Sequence, residues 1–151
     1  RKLSVDLSPP VLHDEGLPAA LQWLATQMHQ EQGLEVQVQA EPGLHLLSED
    51  LRVLLFHTVR ELLFNIVKHA EVKTATVTVT HAGEQLSVEV SDQGRGFAPA
   101  GNEQASTSQG LRRIEQRMQL LGGSMEITSA PGAGTRVTLM VPLRTQGGRP
   151  R

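Results

Sequence analysis

The chain has 151 residues, 38% of them hydrophobic, and a formal net charge of −2. That composition fits one folded domain with a core and excludes both a disordered chain and a strongly basic one built to hold nucleic acid. The lack of cysteine excludes disulfides and thiolate metal sites, and 3% aromatic content is too low for a base-stacking platform.

In chain order, Leu3 to Asp6 reads as a short strand or a linker end, and Pro9-Pro10 interrupt any incoming helix. Asp14 is a candidate cap for a helix from about Glu15 to Gln32, where Leu17, Leu21, Leu24 and Met28 recur at helical spacing and Gly33 stops the run. Leu34, Val36 and Val38 alternate with polar residues, as in a half-buried strand. Glu41-Pro42-Gly43 marks a turn. Ser48 then caps the longest helix, which the pattern carries to Ala70. Ala75 to Thr80 and Gln85 to Ser91 alternate around the turn His81-Ala82-Gly83-Glu84, a hairpin signal. Ala98 to Gln109 is small and polar without periodicity, which predicts a mobile loop. Gly110 to Leu121 reads as helix, ended by Gly122-Gly123. Two more strands follow, Ser124 to Ser129 and Thr135 to Val141, and Arg144 to Arg151 reads as a disordered tail. This order predicts an α+β fold, a two-layer sandwich whose mixed, mostly antiparallel sheet is covered on one face by helices.

Chemistry concentrates on the long helix. At 100° per residue, Glu61, Asn65 and Lys68 fall within one narrow stripe, with Thr58 and His69 on its flank. Leu55, Val59, Leu62, Leu63 and Ile66 take the opposite arc. Asparagine is a poor helix former and needs a reason to sit in mid-helix. A carboxylate, a carboxamide and an ammonium in one stripe suit a nucleotide triphosphate, as base, Mg²⁺ ligand and phosphate partner. A solvated face with i,i+3 and i,i+4 pairs is the alternative reading of the same stripe. The second signal is Asp92-Gln93-Gly94-Arg95-Gly96 after a predicted strand. There a carboxylate can accept from an exocyclic amine, and glycines let the backbone approach a flat ligand. A strand-end turn gives the same string.

Glu61-Leu62-Leu63-Phe64-Asn65-Ile66-Val67-Lys68-His69-Ala70 resembles the N-box of sensor histidine kinases. Asp92 to Gly96 resembles their first glycine box, Gly110-Leu111 with Arg117 and Leu121-Gly122-Gly123 the helix closing their lid, and Gly132-Ala133-Gly134-Thr135 the last glycine box. The N-terminal stretch with Pro10, Leu12, Gly16-Leu17 and Ala20-Leu21 is similar to the class that partners NarL-type response regulators. The boxes stand in family order, the likeness spans about residues 1 to 143, and no Walker P-loop string is present.

The resemblance implies a Bergerat fold and a kinase that uses ATP and Mg²⁺. It implies that Glu61 is the catalytic acid and Asn65 the Mg²⁺ ligand, that Lys68 and His69 approach the phosphates, and that Asp92 accepts the adenine amine. Gly94 and Gly96 would line the base, and Thr135 would support the adenine side. Gly110 and Leu111 would offer helix-terminal amides to phosphate oxygens. Residues 1–10 would end a linker from a missing dimerisation and phosphoacceptor domain, 11–143 would form the ATP-binding catalytic domain, and 144–151 a tail. The implied partners are that phosphoacceptor domain and a NarL-type response regulator, with no nucleic acid and no direct membrane contact. The fragment is expected to be a cytoplasmic monomer with little transfer activity alone, its full-length parent a homodimer. An anti-sigma-factor serine kinase and a non-catalytic nucleotide-binding module are the alternatives in the same superfamily. The lid, Phe97 to Gln109, is short and lacks the phenylalanine-rich box of many histidine kinases, as is usual in the NarL-partner class. His13-Asp14 imitates a phosphoacceptor dipeptide, but Pro9-Pro10 just upstream forbids the helix an acceptor histidine needs. His29, His45, His57 and His81 show no zinc spacing.

Overall fold

Glycine and serine set the ends of the first two helices. In the computed structural model, which describes residues 16–41, 48–69, 72–94, 105–129 and 132–143, α1 (Leu17–Gln32) starts with Gly16 at its N-cap position and proline in its first turn, where the missing N–H costs no hydrogen bond. It therefore begins two residues later than the apolar spacing suggested, and the expected cap Asp14 lies outside the described residues. Gly33 ends α1 in the left-handed region at φ 72°. Its N–H donates to the His29 carbonyl at 3.1 Å, and the Leu34 N–H to that of Met28 at 3.3 Å. The next helix, α2 (Glu49–His69), is capped as its sequence predicted: the Leu51 N–H donates to Ser48 Oγ at 3.2 Å, and Glu49 and Asp50 complement the positive end of the helix.

Five strands form one sheet: β1 (Glu35–Ala40), β2 (Thr74–Ala82), β3 (Gln85–Asp92), β4 (Ser124–Ser129) and β5 (Thr135–Pro142), in the order β1-β2-β3-β5-β4. β1 and β2 are parallel, and the other three pairings are antiparallel. Parallel neighbours need a crossover, which α2 supplies. With α3 (Ala105–Leu120) this is the expected two-layer α+β domain. One apolar cluster joins Leu21 of α1, Leu55, Phe56 and Val59 of α2, and Ile114 and Met118 of α3 to Val77, Val88 and Leu139 of the sheet. The intervening Thr76, Thr78, Glu89 and Thr138 stay partly exposed, as alternation requires.

Two further boundaries differ from the expectation. The hairpin turn is tighter than four residues: Ala82 pairs with Gln85, leaving Gly83-Glu84 with Gly83 at φ 62°. That left-handed glycine matches the twist of the strands and lets the ladder run on through His81. The third helix begins at Ala105, not Gly110. Its apolar stripe at Leu111, Ile114 and Met118 anchors the nucleus, and adding a turn of small residues to a formed helix fixes one residue per hydrogen bond gained. Among the described residues, no helix is long and apolar enough to cross a membrane.

Phe56 is 1% exposed at the junction of α1 and α2, with the Trp23 ring 6.2 Å away. Phe56→Ala is expected to destabilise the domain by about 3–5 kcal/mol through lost burial and the cavity left behind. Urea denaturation measures this, and a loss below about 1 kcal/mol would mean that the α1–α2 contact is not part of the cooperative core.

Candidate functional site

The polar stripe of α2 faces a groove of about 1030 Å³, whose floor includes Glu61, Asn65 and Lys68 and whose opposite wall is α3, through Gly110, Arg113 and Arg117. The helical arithmetic explains the sorting. Leu55, Val59, Leu62 and Ile66 are buried against the sheet, so the stripe roughly half a turn away must open on the other side. Gly110 keeps the wall thin: a Cβ there would sit 3.7 Å from Glu61 Oε2.

Glu61 is held from the other side as well. Arg117 Nη1 lies 3.7 Å from Glu61 Oε1, and the same nitrogen donates to Thr58 Oγ1 at 3.3 Å. Thr58 is 0% exposed, and its hydroxyl donates back to the Leu54 carbonyl at 2.8 Å. Among the described residues, Asn65 Nδ2 is buried with no hydrogen-bond partner. A buried donor left unpaired costs about 1–3 kcal/mol. A ligand oxygen in the groove would satisfy it, and the amide oxygen is the hard donor that Mg²⁺ takes. Among the described residues, no group of three or more His, Cys, Asp or Glu side chains could hold a metal ion. A cation bound through one protein oxygen, substrate phosphates and water needs no such group.

A second polar cluster stands at the end of β3. Asp92 is 7% exposed. Its carboxylate accepts the Gly94 N–H at 2.7 Å and also the backbone N–H of Thr135, its register partner on β5. Burial pushes the Asp92 carboxyl above its ordinary value of 3.8, and the two N–H donors pull part of the way back. Gly134, at φ 78°, makes the corner possible, because a Cβ there would lie 2.2 Å from the Asp92 carbonyl oxygen. Thr135 Oγ1 pairs with Ser129 Oγ at 2.9 Å, which ties β4 to the same corner. Asp92, Gly94 and Thr135 are not part of the groove lining, so the expected site residues form two clusters.

The structure thus places Glu61, Asn65, Lys68 and Gly110 on one groove, and Asp92, Gly94 and Thr135 at one sheet corner. Gly96 lies outside the described residues, as do residues 1–10 and 144–151. His69 ends α2. Leu111 is 5% exposed and packs in the core. Gly110 and Leu111 do not start their helix: they are its sixth and seventh residues. The unpaired amides of a helix are its first four, so they belong to Ala105 onward. Arg60 and His57, which the sequence reading left out of the site, also line the groove, and the Arg60 guanidinium sits 5.1 Å over the Phe64 ring. Both fall within about one residue step of the Glu61 stripe, so widening that stripe would have found them.

Residues 50–145 match the family described as histidine kinase-, DNA gyrase B- and HSP90-like ATPase. Over 143 residues, 95% of this chain, the sequence is 33% identical to the oxygen sensor histidine kinase NreB of Staphylococcus carnosus. The fold superposes on the blue-light activated histidine kinase of Erythrobacter litoralis EL346 with a TM-score of 0.73 and 27% identity, over 88% of this chain. Full-length ShkA in complex with AMPPNP shares the fold, with a TM-score of 0.66 and 20% identity over 83% of this chain. The chain spans 41%, 43% and 29% of these three proteins, respectively.

Proposed function

Since this chain belongs to the histidine kinase-, DNA gyrase B- and HSP90-like ATPases, we propose that it is the catalytic domain of a two-component sensor kinase, holding ATP with Mg²⁺ and presenting the γ-phosphoryl to a histidine. The observation that carries this is the groove of α2, with a carboxylate, an unpartnered buried amide and an ammonium in line beneath a wall of arginines. The adenine amino group donates to Asp92, and Gly94 gives the base its backbone approach. Lys68, with His69 next to it in sequence, lies toward the phosphates, and Gly96, two residues after Gly94, would line the base. The Asn65 amide oxygen would hold Mg²⁺, which would supply charge neutralisation on the phosphates. Glu61 polarises the attacking imidazole and accepts its proton, and the flanking cations offset the charge that develops on the transferred group.

The acceptor histidine would lie on a dimerisation domain, with relay to a NarL-type response regulator. Full-length NreB and the blue-light kinase, which this chain resembles over less than half their length, support that wider reading. Residues 11–143 would be a cytoplasmic catalytic unit within a homodimeric parent.

Asn65→Ala tests the metal role. Calorimetric ATP titrations with and without Mg²⁺ should show the Mg²⁺ enhancement of affinity in the wild-type chain and less than about a twofold effect in the variant. An enhancement of equal size in both would remove Asn65 from the cation.

A further inference from the structure

We infer that Arg117 is a positioning residue: pinned by the buried hydroxyl of Thr58, it fixes the orientation of the Glu61 carboxylate and does not itself hold the nucleotide phosphates. This rests on the reading of Glu61 as the catalytic carboxylate that accepts the proton.

One nitrogen makes both contacts. Arg117 Nη1 donates to Thr58 Oγ1 at 3.3 Å and stands 3.7 Å from Glu61 Oε1. Thr58 and Glu61 are three apart on α2, so their side chains lie one above the other along the helix. Arg117 comes from α3, 59 residues away in sequence from Thr58. The guanidinium is planar and rigid, so fixing one of its nitrogens orients the whole fork. Thr58 is 0% exposed and its own hydrogen is committed to the Leu54 carbonyl at 2.8 Å. With that hydrogen committed, the hydroxyl oxygen meets the arginine only as an acceptor.

The consequence falls on the two oxygens of Glu61. Oε1 is turned to Arg117, while Oε2 lies toward Gly110, 3.7 Å from where a Cβ on that glycine would sit. Three further cations, Arg60, Lys68 and Arg113, line the same groove. A flexible carboxylate among four cations has several comparable partners. The Thr58–Arg117 anchor selects one of them and leaves the second oxygen presented to the groove. Proton transfer depends on such placement, because a carboxylate displaced by about 1 Å can cost two orders of magnitude in rate.

Thr58 gives a clean test, since it is sealed from the groove and cannot touch a ligand. Thr58→Val keeps the side-chain shape and deletes the acceptor, whereas Thr58→Ser keeps the hydroxyl. Nucleotide affinity is measured by calorimetry. Release of the γ-phosphoryl from radiolabelled ATP by this chain is followed under single-turnover conditions, with protein in excess and sampling over hours. The expected result is a roughly 5- to 20-fold slower step in Thr58→Val with ATP affinity within about twofold of wild type, and recovery in Thr58→Ser. In a Glu61→Gln background the Thr58→Val change should have no further effect, because the anchor acts through Glu61. An unchanged rate in Thr58→Val, or an affinity loss that accounts for the whole change, would overturn the role and make Arg117 a phosphate partner instead. If Glu61→Gln alone leaves the rate unchanged, the catalytic reading of Glu61 itself has failed, and the positioning role goes with it.

Discussion

Glu61→Gln is expected to slow γ-phosphoryl transfer by about 10²- to 10⁴-fold while leaving ATP affinity within about twofold. Glutamine keeps the shape and one acceptor oxygen but cannot take a proton, and it gives up the charge that Arg117 faces at 3.7 Å. The pair is about one-third exposed on each side, so water screens it, and its loss should hardly move the melting temperature. A rate deficit with intact binding and intact fold is therefore the signature of chemistry. A variant that loses affinity in step with rate would instead make Glu61 a binding group.

Asp92→Asn has the opposite signature. We expect ATP affinity to fall by about 10- to 100-fold, the equivalent of 1.5–3 kcal/mol for a hydrogen bond to a charged group. Stability without nucleotide should be equal to that of the wild type or higher. The sign follows from the raised carboxyl. Burial lifts Asp92 above 3.8, so as pH climbs the unfolded chain ionises first and draws the equilibrium toward itself. The contribution of the protonated form is fully present below pH 3.8 and is lost as pH rises through the higher folded value. Asparagine carries no such dependence. The stability difference between variant and wild type should therefore grow as pH rises from below 3.8 toward neutrality and then level off. Thermal melts across that range, paired with ATP titration at pH 7, measure both arms. A variant that binds ATP as well as wild type would remove Asp92 from the base, and one that melts earlier at pH 7 would mean that the charged carboxylate stabilises the corner.

Much of the fold and of the groove is legible in the sequence. The 3.6-residue rhythm of α2 separated the Glu61–Lys68 stripe from the Leu55–Ile66 arc, because burial on one side of a helix leaves the other side open. Alternation marked β1, β2 and β3, and Ser48 and Gly33 marked helix ends through the geometry those residues favour. The first turn of α3 was not readable: Ala105 to Gln109 carries no apolar rhythm, and its helix is propagated from the packed turn that follows. Nor was the insertion of β5 between β3 and β4, which sets Thr135 beside Asp92 and depends on pairing across 43 residues. The Thr58–Arg117–Glu61 bridge was hidden for the same reason. Thr58 reads as a flank residue of the polar stripe and Arg117 as part of the helix that resembles the lid-closing one. Contact between them is a property of how α2 and α3 cross.

Calorimetric titration of this chain with ATP, with and without Mg²⁺ and beside GTP, is the decisive measurement. A single ATP site that tightens with Mg²⁺ and does not accept GTP is expected, since Asp92 accepts from an amino group where guanine carries a carbonyl. Equal binding of ATP and GTP, or no nucleotide binding in either condition, would contradict it.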